Sequence, residues 1–243
     1  RHAEPLMVTL ALQPLVMAGE GWADYGLVDS GHAPAQGALV DAGRRFYLLE
    51  QGAAEDVLID DPLGHGTAVL EAIQHRAPAA RFYVAQVFDR RGITSALQIA
   101  AAIDWLVAQQ VRVINLSLGL RQDRSLLREA CAAATARGVL LCASSPAQGE
   151  GVYPANYPEV VRVTGDARCD AQQWTWLDSP QADFAACVRG AYAGQSGASL
   201  GCAALTGHIA RFLNTRRDAS NDEIIQWLQD NAHYRGRERR TQA

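Results

Sequence analysis

Lysine is missing from this chain: all 22 basic residues are arginine. The bias reads as compositional, and it excludes a Ser–Lys catalytic pair. Paired cysteines are also lacking. The five thiols, Cys131, Cys142, Cys169, Cys187 and Cys202, are odd in number and have no Cys-x-x-Cys spacing, which argues against a zinc framework. They read as reduced, mostly buried thiols of a reducing compartment, which places the protein in the cytoplasm. No apolar run approaches the ~18 residues of a membrane span. The stretch from Arg1 to Ala18 lacks the basic, apolar and small-residue succession of a signal peptide. A net charge of −4 is too small to recommend nucleic acid or a membrane surface as partner. What remains is a chain of 243 residues, the length of one ordinary α/β domain.

Strand and helix patterns alternate along it. Ala23 to Val28 reads as a strand entering a turn at Asp29. Arg81 to Phe88, Val111 to Leu118 and Val139 to Ala143 read as buried strands. Thr94 to Gln110 is amphipathic, with Ile99, Ile103, Leu106 and Val107 on one helical face. Ser125 to Arg137 reads as a helix capped by Ser125 and ended by Gly138. Gly197 to Leu213 is a helix of small residues suited to burial, and Ser220 with Glu223 forms a capping box for a last helix. Strands separated by such helices imply βαβ crossovers and a mostly parallel sheet. One domain is expected over 1–243, with an N-terminal extension to about residue 22 and a basic, flexible tail from Tyr234.

Three short segments carry chemistry: Val28-Asp29-Ser30-Gly31, Gly64-His65-Gly66-Thr67 and Ser196-Gly197-Ala198-Ser199. A hydroxyl is a weak nucleophile and needs an imidazole base, which in turn needs a carboxylate to fix its tautomer. Each candidate sits beside glycine, where a substrate backbone can approach closely. Singly the motifs are weak, since Asp-Ser-Gly is usually a turn. Together, in the order Asp, His, Ser, they single out Asp29, His65 and Ser199. His32, His75, His208 and His233 have no second ligand spaced to join them and read as bystanders.

On these segments the chain resembles the subtilisin-like serine proteases over roughly Asp24 to Leu228. Further matches are Asp60-Asp61 before His65, Val113-Ile114-Asn115-Leu116-Ser117-Leu118-Gly119, Tyr153-Pro154-Ala155-Asn156-Tyr157-Pro158, and Asp183-Phe184-Ala185-Ala186. The resemblance implies a three-layer α/β fold with a mostly parallel central sheet flanked by helices. It makes Ser199 the nucleophile, His65 the base and Asp29 its orienting carboxylate. Substrate-binding roles fall on Ser117-Leu118-Gly119 and Gly92-Ile93-Thr94, which would pair with an extended peptide. Val152, where the family often has Gly, would make the first-subsite pocket shallow.

Three departures matter. Pro146-Ala147 stands where the family's oxyanion Asn is expected. Loss of such a donor costs about 10²–10³ in turnover. Ser144, Ser145, Gln148 and Asn156 are the candidate replacements. From Ala72 to Arg81 there is no Asn/Asp cluster, so no tight calcium, other metal or cofactor is expected. No segment before Asp24 resembles a prodomain. The expectation is a compact cytoplasmic endopeptidase acting on one or a few peptides. It is similar in build to the members that remove leader peptides from modified precursors, as in quinohemoprotein amine dehydrogenase maturation. Partners would then be a peptide or protein substrate, such as a leader-bearing precursor and its modifying enzymes. The rivals are a catalytically weak peptide-binding module and, less favoured for want of an inserted lid, a macrocyclase.

Overall fold

The computed structural model describes residues 24–189 and 197–239. The expected N-terminal extension and Ser196 lie outside these residues. All strands join one sheet in the order β10-β8-β9-β7-β6-β5-β1-β4-β2-β3. Their ranges are β1 Asp24–Asp29, β2 Val40–Leu49, β3 Gly52–Asp56, β4 Arg81–Gln86, β5 Val113–Leu116, β6 Leu140–Ser144, β7 Val160–Gly165, β8 Trp174–Trp176, β9 Phe184–Ala186 and β10 Tyr234–Arg235. Every pairing is parallel except β2/β3 and β8/β9.

The helices are α1 His65–Arg76, α2 Ala96–Ala108, α3 Ser125–Ala136, α4 Gly197–Leu213 and α5 Asn221–Asp230. One core lies between the sheet and α1, α4 and α5, and includes Leu70, Ile73, Phe82, Leu205 and Ile224. The other lies on the opposite face with α2 and α3, and includes Ile99, Ile103, Leu106 and Leu127. The strands β1, β4, β5 and β6 are buried on both faces, which explains their unbroken apolar runs.

β1 pairs with β4 on one side and β5 on the other. The chain therefore reverses its direction of travel across the sheet at β1. Such a switch point opens a crevice at the carboxyl ends of the strands, and Asp29 is the last residue of β1.

Two sequence expectations are corrected. Ser125 is not a cap: Arg124 holds the N-cap position of α3 without a side-chain cap. The Tyr157 hydroxyl takes over that task, accepting from Arg124 N at 3.3 Å and donating to Asp123. The tail is not loose at Tyr234, since Tyr234–Arg235 pairs with Thr175–Trp176. Arg168 clamps it, donating to the Gly236 carbonyl at 2.7 Å and lying over the Tyr234 ring. The β2–β3 hairpin and the short strands β8 and β9 were not anticipated. The five cysteines are free and buried, as expected.

Candidate active site

Asp29 is fully buried at the end of β1. Its Oδ1 lies 2.7 Å from His65 Nδ1 and accepts from Ser30 N at 2.7 Å. The other oxygen, Oδ2, is buried with no hydrogen-bond partner among the described residues. The contact through Nδ1 leaves Nε2 as the ring nitrogen free to act as a base. Burial alone would lower the His65 pKa. The hydrogen bond and charge of Asp29, with the charge of Asp61, outweigh that and hold it above the ordinary value.

His65 opens α1, and close packing puts it there. A Cβ on Gly66 would lie 2.1 Å from the Gly31 carbonyl oxygen, so only glycine lets the helix sit against the turn that follows β1. Asp61 ties the two together. Its carboxylate accepts from the Ser30 hydroxyl, from Leu63 and Gly64 N, and from both N and Oγ1 of Thr67. Ser30 Oγ in turn accepts from Gly66 N at 2.8 Å. Gln86, buried at the end of β4, donates to the Ser30 and Ile59 carbonyls and accepts from Ile59 N.

Ser199 is the third residue of α4 and is 5% exposed. Its carbonyl accepts from Ser117 Oγ at 3.1 Å, and its hydroxyl donates to the Ser117 carbonyl at 3.4 Å. Ser117 Oγ accepts from Asn115 Nδ2, and Asn115 Oδ1 accepts from Thr206 Oγ1 at 2.8 Å and from the Cys202 thiol. This buried relay fastens the start of α4 to β5. The β1/β5 register ends at the Val28–Leu116 pair, one residue before Asp29 and Ser117. Asp29 and His65 are joined directly, and Ser199 is fastened to Ser117, just beyond the end of β5.

A pocket of about 560 Å³ adjoins the serine, lined by Gly119, Ser144, Ala147, Val152, Val188 and Ala198 among others. Val152 lies flat on Gly119, held by the antiparallel bridge Leu120–Tyr153. It lines the pocket. Leu118 is buried just beyond β5. Gly92, Ile93 and Thr94 lie beyond the carboxyl end of β4, with Gly92 (φ +76) beside Leu63 and Ile93 exposed.

The oxyanion candidates fare unevenly. Ser145 Oγ is spent on the Gln181 carbonyl at 2.5 Å, and Ser144 Oγ is directed at the Leu118 carbonyl at 3.4 Å. Gln148 and Asn156 are exposed and do not line the pocket. The sequence reading passed over Gln86 and the full role of Asp61. A lone amide in an apolar strand, and a carboxylate four residues before a helix, were the available signals. Among the described residues, no group of three or more His, Cys, Asp or Glu is gathered to hold a metal, and no helix is long and apolar enough to cross a membrane.

Fold and site together define a doubly wound α/β protein with a buried carboxylate bonded to an imidazole at its switch point. Comparison with known proteins narrows that class. The Subtilase family profile matches residues 52–243, and the chain belongs to that family. It is 30% identical over 229 residues to the Thermostable alkaline protease of Halalkalibacterium halodurans, covering 86% of this chain and 62% of that protein. It is 35% identical over 150 residues to the Minor extracellular protease Epr of Bacillus subtilis, covering 57% and 22%. With the Major intracellular serine protease of Bacillus subtilis the identity is 29% over 152 residues, covering 56% and 47%. The chain therefore spans less than two thirds of the length of these relatives. A solved structure titled S41 Psychrophilic Protease shares the fold, with a TM-score of 0.64 at 23% identity, covering 85% of this chain and 82% of that one.

Proposed function

We propose that the chain is a serine endopeptidase. Ser199 attacks the scissile carbonyl, His65 Nε2 takes the hydroxyl proton and returns it to the leaving amine, and Asp29 holds the imidazole and its charged form. The observation that carries this reading is the Asp29–His65 hydrogen bond at the switch point, 2.7 Å long. Ser199, at the start of α4, is hydrogen-bonded to Ser117, just beyond the end of β5. A raised imidazole pKa suits a base that must accept a proton as the tetrahedral intermediate forms. The backbone N–H groups at the start of α4 would receive the developing oxyanion. The apolar pocket beside Ala198 would take a small or medium apolar side chain of the substrate. Gly92–Thr94 and Ser117–Gly119 would flank an extended peptide.

Among the described residues, Ser144 and Ser145 are engaged with carbonyls and Gln148 and Asn156 do not line the pocket, so the enzyme would be slow and selective. Its proposed substrate is one protein or a leader-bearing precursor inside the cell. The same lack favours a second reading, a groove that binds peptide without cutting it. Incubation with a peptide library and mass spectrometry of the products separates the two. Cleavage by the wild-type chain and not by Ser199→Ala supports the peptidase. Bound peptide recovered intact from both supports the binding module.

A further inference from the structure

Asp61 is the most heavily bonded carboxylate at the site, yet it touches neither Ser199 nor the ring nitrogens of His65. Its Oδ1 accepts from Ser30 Oγ, Leu63 N and Gly64 N, and its Oδ2 from Thr67 N and Oγ1. These five donors come from the turn after β1, the loop before α1 and the first turn of α1. They span the residues that flank both Asp29 and His65. The Thr67 and Ser30 hydroxyls and the backbone N–H groups offset the effect of burial and hold Asp61 below the usual carboxylate range, so it stays ionised.

Resting on the peptidase reading, we propose that Asp61 is the positioning residue of the base: its carboxylate locks the His65 ring over Asp29 and supplies a second negative charge facing the imidazole. Asp29 from β1 and Asp61 from the loop are the charges that act on His65. Other titratable groups on neighbouring elements are His32 and Asp60 on the flanking loops, Asp89 beyond β4, Glu71, His75 and Arg76 further along α1, and Cys202, His208 and Arg211 on α4. β5 contributes the neutral amide of Asn115. A charge held at the mouth of α1 would favour the imidazolium that forms as Ser199 attacks. An amide at position 61 would remove that charge and set an N–H donor against donors on one side of the carboxylate's place.

The test follows the His65 ring by NMR across pH in the wild type, Asp61→Asn, Asp61→Ser and Asp61→Glu, alongside the pH dependence of fluorophosphonate labelling. The neutral variants should lower the His65 midpoint by about half a unit. They should move the acid limb of labelling the same way and cut the plateau rate by about tenfold. Asp61→Glu, which keeps the charge, should restore most of the midpoint. A folded neutral variant with an unmoved midpoint would overturn the inference. Thr67→Val keeps the carboxylate and removes one partner. It should lower melting temperature and leave the midpoint in place, and a midpoint that moved with Thr67→Val would assign the effect to packing and overturn it as well. The NMR titration needs no activity, so a wild-type chain that never labels would sink the peptidase reading while Asp61 is still decided.

Discussion

The turn that carries His65 and the loop that would face a substrate carbonyl are held in different ways. On the base side, Asp61, Ser30, Gln86 and Gly66 fix the imidazole through side-chain bonds and a close helix approach. On the acceptor side, Ser145 is tied to Val163 through its backbone and to the Gln181 carbonyl through its hydroxyl, while residues 147–150 are exposed. On the peptidase reading, the base is prepared before any peptide arrives, and oxyanion stabilisation would fall to backbone N–H groups. Such an arrangement would give a competent nucleophile with modest turnover.

The largest expected effect breaks the base side. Asp29→Asn presents an amide N–H to Nδ1, favours the wrong tautomer and should lower fluorophosphonate labelling by about 10⁴-fold with little change in fold. Circular dichroism and labelling rate together check it. Gly66→Ala attacks the same side through packing. The new methyl would meet the Gly31 carbonyl, and the chain should lose about 2–4 kcal/mol of stability in a denaturant melt.

Acid titration sharpens the comparison with a second histidine. His208 in α4 is fully buried against Trp174, and burial, then the charges of Arg76, Arg211 and His233, lower its pKa to about 3. It is neutral when folded and takes a proton when unfolded, so its stability contribution is complete above pH 6.5 and is lost as pH falls from there toward 3. That loss is on the order of 5 kcal/mol. His65 has the opposite sign, since its raised pKa adds stability below the unfolded value that is lost as pH rises through the folded one. His208→Phe should flatten the acid side of a melting-temperature profile, and an unchanged acid slope would contradict this account of His208.

The smallest effects belong to the acceptor side. Ser145→Ala and Gln148→Ala should each change turnover by less than about threefold, because one hydroxyl is already committed and the other side chain is exposed. A hundredfold loss in either would identify the missing donor and erase the contrast between the two sides.

The central strands and the long helices were legible because burial on both faces imposes continuous apolar runs, and because Ile99, Ile103 and Leu106 repeat at helical spacing. α4 was read with its observed limits, Gly197–Leu213, and the Ser220–Glu223 capping box is present. The β2–β3 hairpin escaped because Val40–Leu49 is half exposed, carries Arg44 and Arg45, and has no clean alternation. Strands β8 and β9 have three residues each, too few for a period. Ser125 does not cap α3 because Arg124 holds that position and a distant hydroxyl, Tyr157, accepts from its backbone N–H. Asp29, His65 and Ser199 could be named from local motifs. The Ser30–Asp61–Thr67 and Asn115–Ser117–Ser199 networks could not, since Ser30 meets Asp61 and Ser117 meets Ser199 only through the crossovers.

The most direct measurement is the intact mass of the chain after reaction with a fluorophosphonate, compared with Ser199→Ala and His65→Ala. The account predicts one adduct per wild-type chain, none on Ser199→Ala, and labelling slowed by about 10³-fold or more on His65→Ala. An unlabelled wild-type chain, or an adduct that survives Ser199→Ala, would contradict it.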